Sequence, residues 1–164
     1  MLSPEHFYAA GWMTQFVSID LLVEYDGKFL FGKRSNKPAK GSWFVPGSKT
    51  LKGKLLRDEL ERVTSFELGF RKSIEDVDFV GIFDHRHPDN AKDDFYGTHY
   101  VVIGVHLKVN EDDVKKIETV FGDQHEEMAW LTKKDLLEKE DVHPFCKSYF
   151  IPNADNGFWQ VRVL

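Results

Sequence analysis

The stretch PGSKTLKGKLLRDELERVTSFELG, Pro46 to Gly69, joins a lysine-rich loop to a segment with helical spacing. Lys49, Lys52, Lys54 and Arg57 crowd its start, and Glu67 stands just before the closing Gly69. Leu55, Leu56, Leu60, Val63 and Phe66 recur at intervals that place them near one face of a helix predicted over 51–68. Gly69 is the residue expected just past its end, where the chain turns left-handed. A brief strand, WFVPG, runs directly into the loop. The order is strand, cationic loop, helix.

Working outward, FVSIDLLVEYDGKFLFGKRS reads as two strands joined at Asp26-Gly27, a strong hairpin signal. SPEHFYAAGWM before it has the marks of a short helix, with Ser3 as cap and Pro4 at the first helical position. Downstream, VDFVGIFDHRH and THYVVIGVHLKV are strands flanking a polar loop. EEMAWLT is another strand, and TKKDLLEKE a short helix opened by Thr132 with Asp135 three residues on. The C-terminal YFIPNADNGFWQVRVL gives no clear signal. Strands outnumber helices, and two helices packed on a mixed sheet make the expected class α+β, an αβα sandwich over a single domain, 1–164.

The net charge of −5 argues against a nucleic-acid partner, whose electrostatic footprint is basic. A local basic patch on an acidic chain points instead to a small anion. The single cysteine, Cys146, excludes an intrachain disulfide. No apolar run approaches the roughly 20 residues of a membrane span, and the N-terminus lacks a basic leader region, so a cytoplasmic protein with no membrane partner is expected.

The opening stretch resembles the Nudix box: a glycine, five residues, a glutamate, seven residues, then Arg-Glu-apolar-x-Glu-Glu-x-Gly. Ser48 falls at the first glycine, Lys54 at the first glutamate, Arg62 at the arginine, and Val63, Phe66 and Glu67 at the later acidic positions. Only the last acid is kept. The GDP-mannose mannosyl (glycosyl) hydrolases lack the same two later glutamates. From about residue 8 to 150 the chain is similar to that subfamily, in VSIDLLVE, FLFGKRSNKPAKGSWFVPG, ERVTSFELG, THYVVIGV, DQHEEMAWL and VHPFCKSYF.

The resemblance implies a Nudix fold, a homodimer and one Mg²⁺ (Mn²⁺ as substitute) held by the Gly47 carbonyl, Glu67 and Gln124. Magnesium takes oxygen ligands and keeps waters and substrate phosphates in its shell, so a lean protein set is chemically sufficient. His125 matches the subfamily's general base, and histidine is the side chain best poised to take a proton near neutrality. Arg34 and Lys49 match two arginines that stabilise the departing diphosphate. Asp20 and Tyr100 match positions near the sugar or phosphate; His85, His87 and His99 flank strand ends where some of them would line the pocket, His85 being taken as a substrate-binding residue. His106 and His143 read as structural, and Arg62 as a clamp on Glu67 or nearby carbonyls.

The implied reaction is hydrolysis of a GDP-sugar, GDP-mannose or a close relative, by water attack at the anomeric carbon with inversion. Two other readings stay open. One is a pyrophosphatase attacking phosphorus; the other is a non-catalytic nucleotide-sugar-binding module, which Ser48 and Lys54, both departures from the subfamily pattern, would permit. Glu67 as a solvated helix-end acid and His125 as a surface histidine are the corresponding bland readings of those residues.

Overall fold

The structure is a computed structural model that describes residues 4–90, 96–120 and 125–164. Its elements in chain order are α1 (Pro4–Met13), β1 (Phe16–Tyr25), β2 (Lys28–Arg34), β3 (Trp43–Phe44), β4 (Gly47–Lys49) and α2 (Leu56–Leu68). A single 3₁₀ turn (Ile74–Asp76) leads to β5 (Asp78–His87), β6 (Thr98–Lys108), α3 (Glu111–Val120), β7 (His125–Thr132), α4 (Lys133–Glu138), α5 (Pro144–Ser148) and β8 (Gly157–Gln160).

The eight strands form one mixed sheet in the order β3-β2-β1-β6-β5-β8, with β4 added to β1 and β7 to β2. The β1–β6 pairing is parallel and the other strand pairings are antiparallel. Successive side chains on a strand point to opposite faces, and β1 and β2 feed two separate cores. Ile19, Leu21, Val23 and Leu30 pack with Leu60, Val63 and Leu68 of α2 and Ile117 of α3. Leu22, Phe29 and Phe31 pack on the other face with Leu136 of α4 and Cys146, Tyr149 and Phe150 in and after α5. Helices therefore cover both faces, and the αβα sandwich expected from the sequence is the observed architecture.

The hairpin forms at Asp26-Gly27, where both residues have positive φ (49° and 71°), as the tight turn between twisted strands requires. Thr132 caps α4, accepting a hydrogen bond from the Asp135 amide. Gly69 ends α2 at φ 79°, its N–H donating to the Ser65 carbonyl; a Cβ there would also lie 3.2 Å from the Val120 methyls.

Several expectations need correction. The helix begins at Leu56 rather than 51, and its buried face is Glu59, Leu60, Val63, Thr64, Glu67 and Leu68, while Leu55, Leu56 and Phe66 are exposed. The apolar count misplaces the stripe because two carboxylates lie on the inward face. Five helices accompany the sheet among the described residues, where the sequence pointed to three with two packed on it; α3 joins α2 on one face, α5 forms just before the C-terminal stretch that gave no clear signal, and that stretch supplies the edge strand β8. Ser3, the expected cap of α1, lies outside the described residues.

Candidate active site

β6 occupies one edge of β1 along most of its length. The other edge forks: Glu24 and Tyr25 pair with β2, whereas Ser18 to Asp20 pair with β4. Trp43 to Lys49 crosses this fork, bonded to β2 through β3 and to β1 through β4, with the Leu21 amide donating to the Pro46 carbonyl at 2.8 Å. The crossing sets Gly47 opposite Asp20. A Cβ at residue 47 would lie 2.7 Å from both Asp20 Oδ1 and the Ile19 carbonyl, so only glycine allows the approach.

Asp20 is buried and accepts a 2.6 Å hydrogen bond from the Tyr149 hydroxyl, whose oxygen lies 3.4 Å from His85 Nε2. Burial raises its pKa to about 7, against the opposing pull of the Tyr149 hydrogen bond and the Arg34 charge. Glu67, at the end of α2, is 7% exposed, and its Oε1 has no hydrogen-bond partner. Its pKa is also raised to about 7, by burial first; Arg34 and Arg62 lower it, and Asp20 raises it. The two carboxylates and Arg34 thus share one electrostatic environment.

Arg34 ends β2, anchored by its Nε donating to the Pro38 carbonyl at 2.8 Å, with the guanidinium 5.6 Å from the Phe44 ring centre. Tyr100 stands directly opposite His85 across the β5–β6 pairing. Its hydroxyl pKa is raised, again by burial first, with Arg34 opposing and Asp20 adding to the shift. Lys49, on β4 opposite Ser18, is half-buried; desolvation and then the Arg62 charge lower its pKa. Backbone register sets His125, the first residue of β7, opposite Arg34. Gln124 lies outside the described residues.

Of the two roles expected for Arg62, the structure shows the clamp on a nearby carbonyl and not one on Glu67. Its guanidinium donates to Glu59 Oε2 at 2.8 and 3.0 Å and to the Lys49 carbonyl at 2.7 Å. The same Glu59 oxygen accepts the Leu51 amide at 2.8 Å. Glu59, unremarked in the sequence, is therefore what ties the cationic loop to α2, and its spacing three residues before Arg62 was the available signal. Lys52, Lys54 and Arg57 are exposed. Ser48 is absent from the positive-φ positions and sits within β4, so a side chain there introduces no backbone strain.

His143, read as structural, caps α5 and packs in an aromatic wall beside the site: its ring centre lies 5.2 Å from Phe44 and 5.3 Å from His87. His99 pairs with Asp84 and His106 with Glu24, both outside this cluster.

Among the described residues no group of three or more His, Cys, Asp or Glu side chains is arranged to hold a metal. One ion in a lean oxygen shell nonetheless fits the residues present. A buried carboxylate oxygen with no donor, such as Glu67 Oε1, is an unusual feature of a folded protein, and a hard cation satisfies it.

Comparison with known proteins agrees with this architecture. The chain is 31% identical over 133 residues to the low-salt glycan biosynthesis protein Agl8 of Haloferax volcanii, covering 81% of this chain and 78% of that protein. The MutT protein of Methanosarcina mazei shares the fold at TM-score 0.60 and 18% identity, over 81% of this chain and 88% of that one. The NUDIX domain of Shewanella oneidensis NrtR, solved with ADP ribose, does so at TM-score 0.55 and 14% identity, over 88% and 92%. The NUDIX domain profile matches residues 15–153, which spans the forked sheet, α2 and the Glu67 site, and the chain belongs to the NUDIX domain family.

Proposed function

We propose that the protein hydrolyses a nucleoside diphosphate sugar, GDP-mannose or a close relative, releasing GDP and the free sugar by water attack at the anomeric carbon with inversion. The family supports hydrolysis of nucleoside diphosphate derivatives, and the similarity to a glycan biosynthesis protein favours a sugar-bearing one. The observation that carries the reading is Glu67: a single inward carboxylate with an unpaired oxygen, beside Arg34 and buried Asp20. A site so poor in acids repels an anionic diphosphate little and accommodates one divalent ion rather than several.

In this reading Glu67, the Gly47 carbonyl and Gln124 hold one Mg²⁺, for which Mn²⁺ can substitute. The bound ion neutralises negative charge on the diphosphate. Arg34 and Lys49 stabilise the charge that grows on the departing GDP, so no general acid is required. His125 takes a proton from the attacking water on the opposite side of the sugar, the division of labour an inverting glycosyl transfer needs. Asp20, His85 and Tyr100 position the substrate, with Tyr149 holding Asp20. The homodimer implied by the family resemblance belongs to the same proposal.

Hydrolysis of GDP-mannose in ¹⁸O-water tests it. Label in the sugar alone, with GDP as the other product, is expected. Label on phosphate, or GMP with a sugar phosphate, would assign attack at phosphorus. Tight binding without turnover at saturating Mg²⁺ would make the protein a binding module.

A further inference from the structure

We propose that His87 and His143, on the aromatic wall beside Arg34, read the hydroxyls of the substrate's neutral glycosyl group and so determine sugar specificity. This rests on the nucleotide-sugar reading given above and assigns residues for which that reading has no role.

The wall is continuous with the site. Phe44, under the Arg34 guanidinium, has ring centres of His87 and His143 at 6.2 and 5.2 Å. His87 in turn lies 6.1 Å from Tyr100. Phe145 closes the cluster at 5.1 Å from His87 and 4.7 Å from His143. The Arg34 charge reaches both histidines, as it reaches Glu67 and Asp20, so the carboxylates and the histidine wall share one neighbourhood around Arg34.

The chemistry of the pair suits an uncharged, hydroxylated ligand. Desolvation, the neighbouring histidine and Arg34 bring His87 down to about 3; desolvation and Arg34, opposed by Asp89, bring His143 to about 4. Both are neutral imidazoles near pH 7, each with one donor and one acceptor nitrogen, the same complement a sugar hydroxyl offers. They supply no cation for phosphate. His143 Nδ1 accepts the Phe145 amide at 3.2 Å, which fixes its proton on Nε2 and makes that atom a donor. Among the described residues His87 makes ring contacts but no hydrogen bond, leaving its polar edge uncommitted. A wall needed only for packing would be better filled by phenylalanine, because an imidazole brings polar atoms that require partners. His143 is partly exposed and so reachable by a ligand.

Two substitutions isolate the polar contribution. His143→Asn keeps a side-chain acceptor for the Phe145 amide, asparagine being a favoured helix cap, and replaces the Nε2 donor at the far edge of the ring with a shorter amide NH2 that does not reach as far. His87→Phe keeps the ring and removes both nitrogens. Affinity and turnover are measured for GDP-mannose, its C2 epimer GDP-glucose, and GDP alone. Unchanged GDP affinity is expected, with the mannose-to-glucose ratio of kcat/KM falling about tenfold or more in either variant, the scale of losing a hydrogen bond to a substrate hydroxyl. An unchanged ratio in both variants, or equal weakening of GDP and GDP-mannose, overturns the inference and leaves hydrolysis standing. A wild type whose affinity gains nothing from the sugar and which does not discriminate the epimers also overturns it. If the wild type binds GDP-mannose more tightly than GDP without releasing GDP, and the variants lose that margin, hydrolysis falls and the inference stands.

Discussion

Replacing Glu67 with glutamine should raise the stability of the metal-free protein relative to wild type as pH rises, and abolish its stabilisation by Mg²⁺. The carboxyl pKa stands at 4.5 in the ordinary state and about 7 in the fold, chiefly through burial. A folded pKa raised above the unfolded value means stability is fully present below the unfolded pKa and is lost as pH rises through the folded one. The ionised carboxylate thus costs roughly 3 kcal/mol once the pH exceeds about 7, at ~1.4 kcal/mol per unit. The amide brings packing and hydrogen-bond penalties of its own, but these do not depend on pH. The informative quantity is therefore the stability of Glu67→Gln minus wild type, measured in chelator from about pH 4 to about pH 8, which should grow by roughly 3 kcal/mol, or about 6–12 °C in melting temperature. Loss of the Glu67 charge also relieves Asp20, which changes the difference in the same direction. Adding Mg²⁺ at about a hundred times its Kd should raise wild-type stability by roughly 2.7 kcal/mol and leave the variant unmoved. A difference that is flat with pH, or an equal Mg²⁺ response in both proteins, would refute the reasoning.

His125→Ala should leave GDP-mannose binding near normal and lower turnover about 10²- to 10⁴-fold in steady-state assays, as loss of a positioned base does. Lys49→Ala should depress kcat more than it weakens binding, and Lys49→Arg should preserve or raise kcat, because a cation aimed at leaving-group charge acts on the barrier. Arg62→Ala should lower stability by about 2–3 kcal/mol in urea titration. That is less than the roughly 3–5 of a fully buried pair because the guanidinium is 34% exposed beside a Glu59 carboxylate at 3%. Lys54→Glu should change activity less than twofold, since that side chain faces solvent; conversion of an inert protein into a hydrolase would contradict this and the proposed function together.

What was legible in the sequence was what is local. The Asp26-Gly27 turn, the Thr132 cap and the Gly69 terminator each depend on residues within a few positions, and each stands where expected. Helix α3 was missed because its sequence, EDDVKKIETV, offers a thin apolar signal; Ile117 docks into the α2 side of the core, and Val120 abuts Gly69. The candidate site was signalled only by motif resemblance, since the contacts that assemble it are long-range. Tyr149 reaches Asp20 across 129 positions, and nothing near either residue announces the other. His143 looked structural because its one local role, capping α5 through Phe145, is indeed structural; its place beside His87 arises only when β5 and the α5 turn meet.

The departures from the Nudix box become intelligible as changes in chemistry made on a scaffold that is kept. Val63, at one acidic position, is fully buried among Leu60, Leu68 and the β1 side chains, where an ionised carboxylate would lie in an apolar core. Phe66, at the next, is 58% exposed. Glu67 alone of the three keeps an acid, one that is inward-facing with an oxygen unpaired. Meanwhile the geometry that aims it survives by other means. With Lys54 at the first glutamate position turned to solvent, Glu59 supplies the carboxylate that clamps Arg62, the Lys49 carbonyl and the Leu51 amide into one unit. Gly69 ends the helix one residue beyond Leu68, and Gly47 still admits β4 against Asp20. Loss of the other acids therefore removes charge from the site without loosening α2. For the proposed reaction, that combination suits one divalent ion and a diphosphate whose negative charge grows as it leaves a neutral sugar.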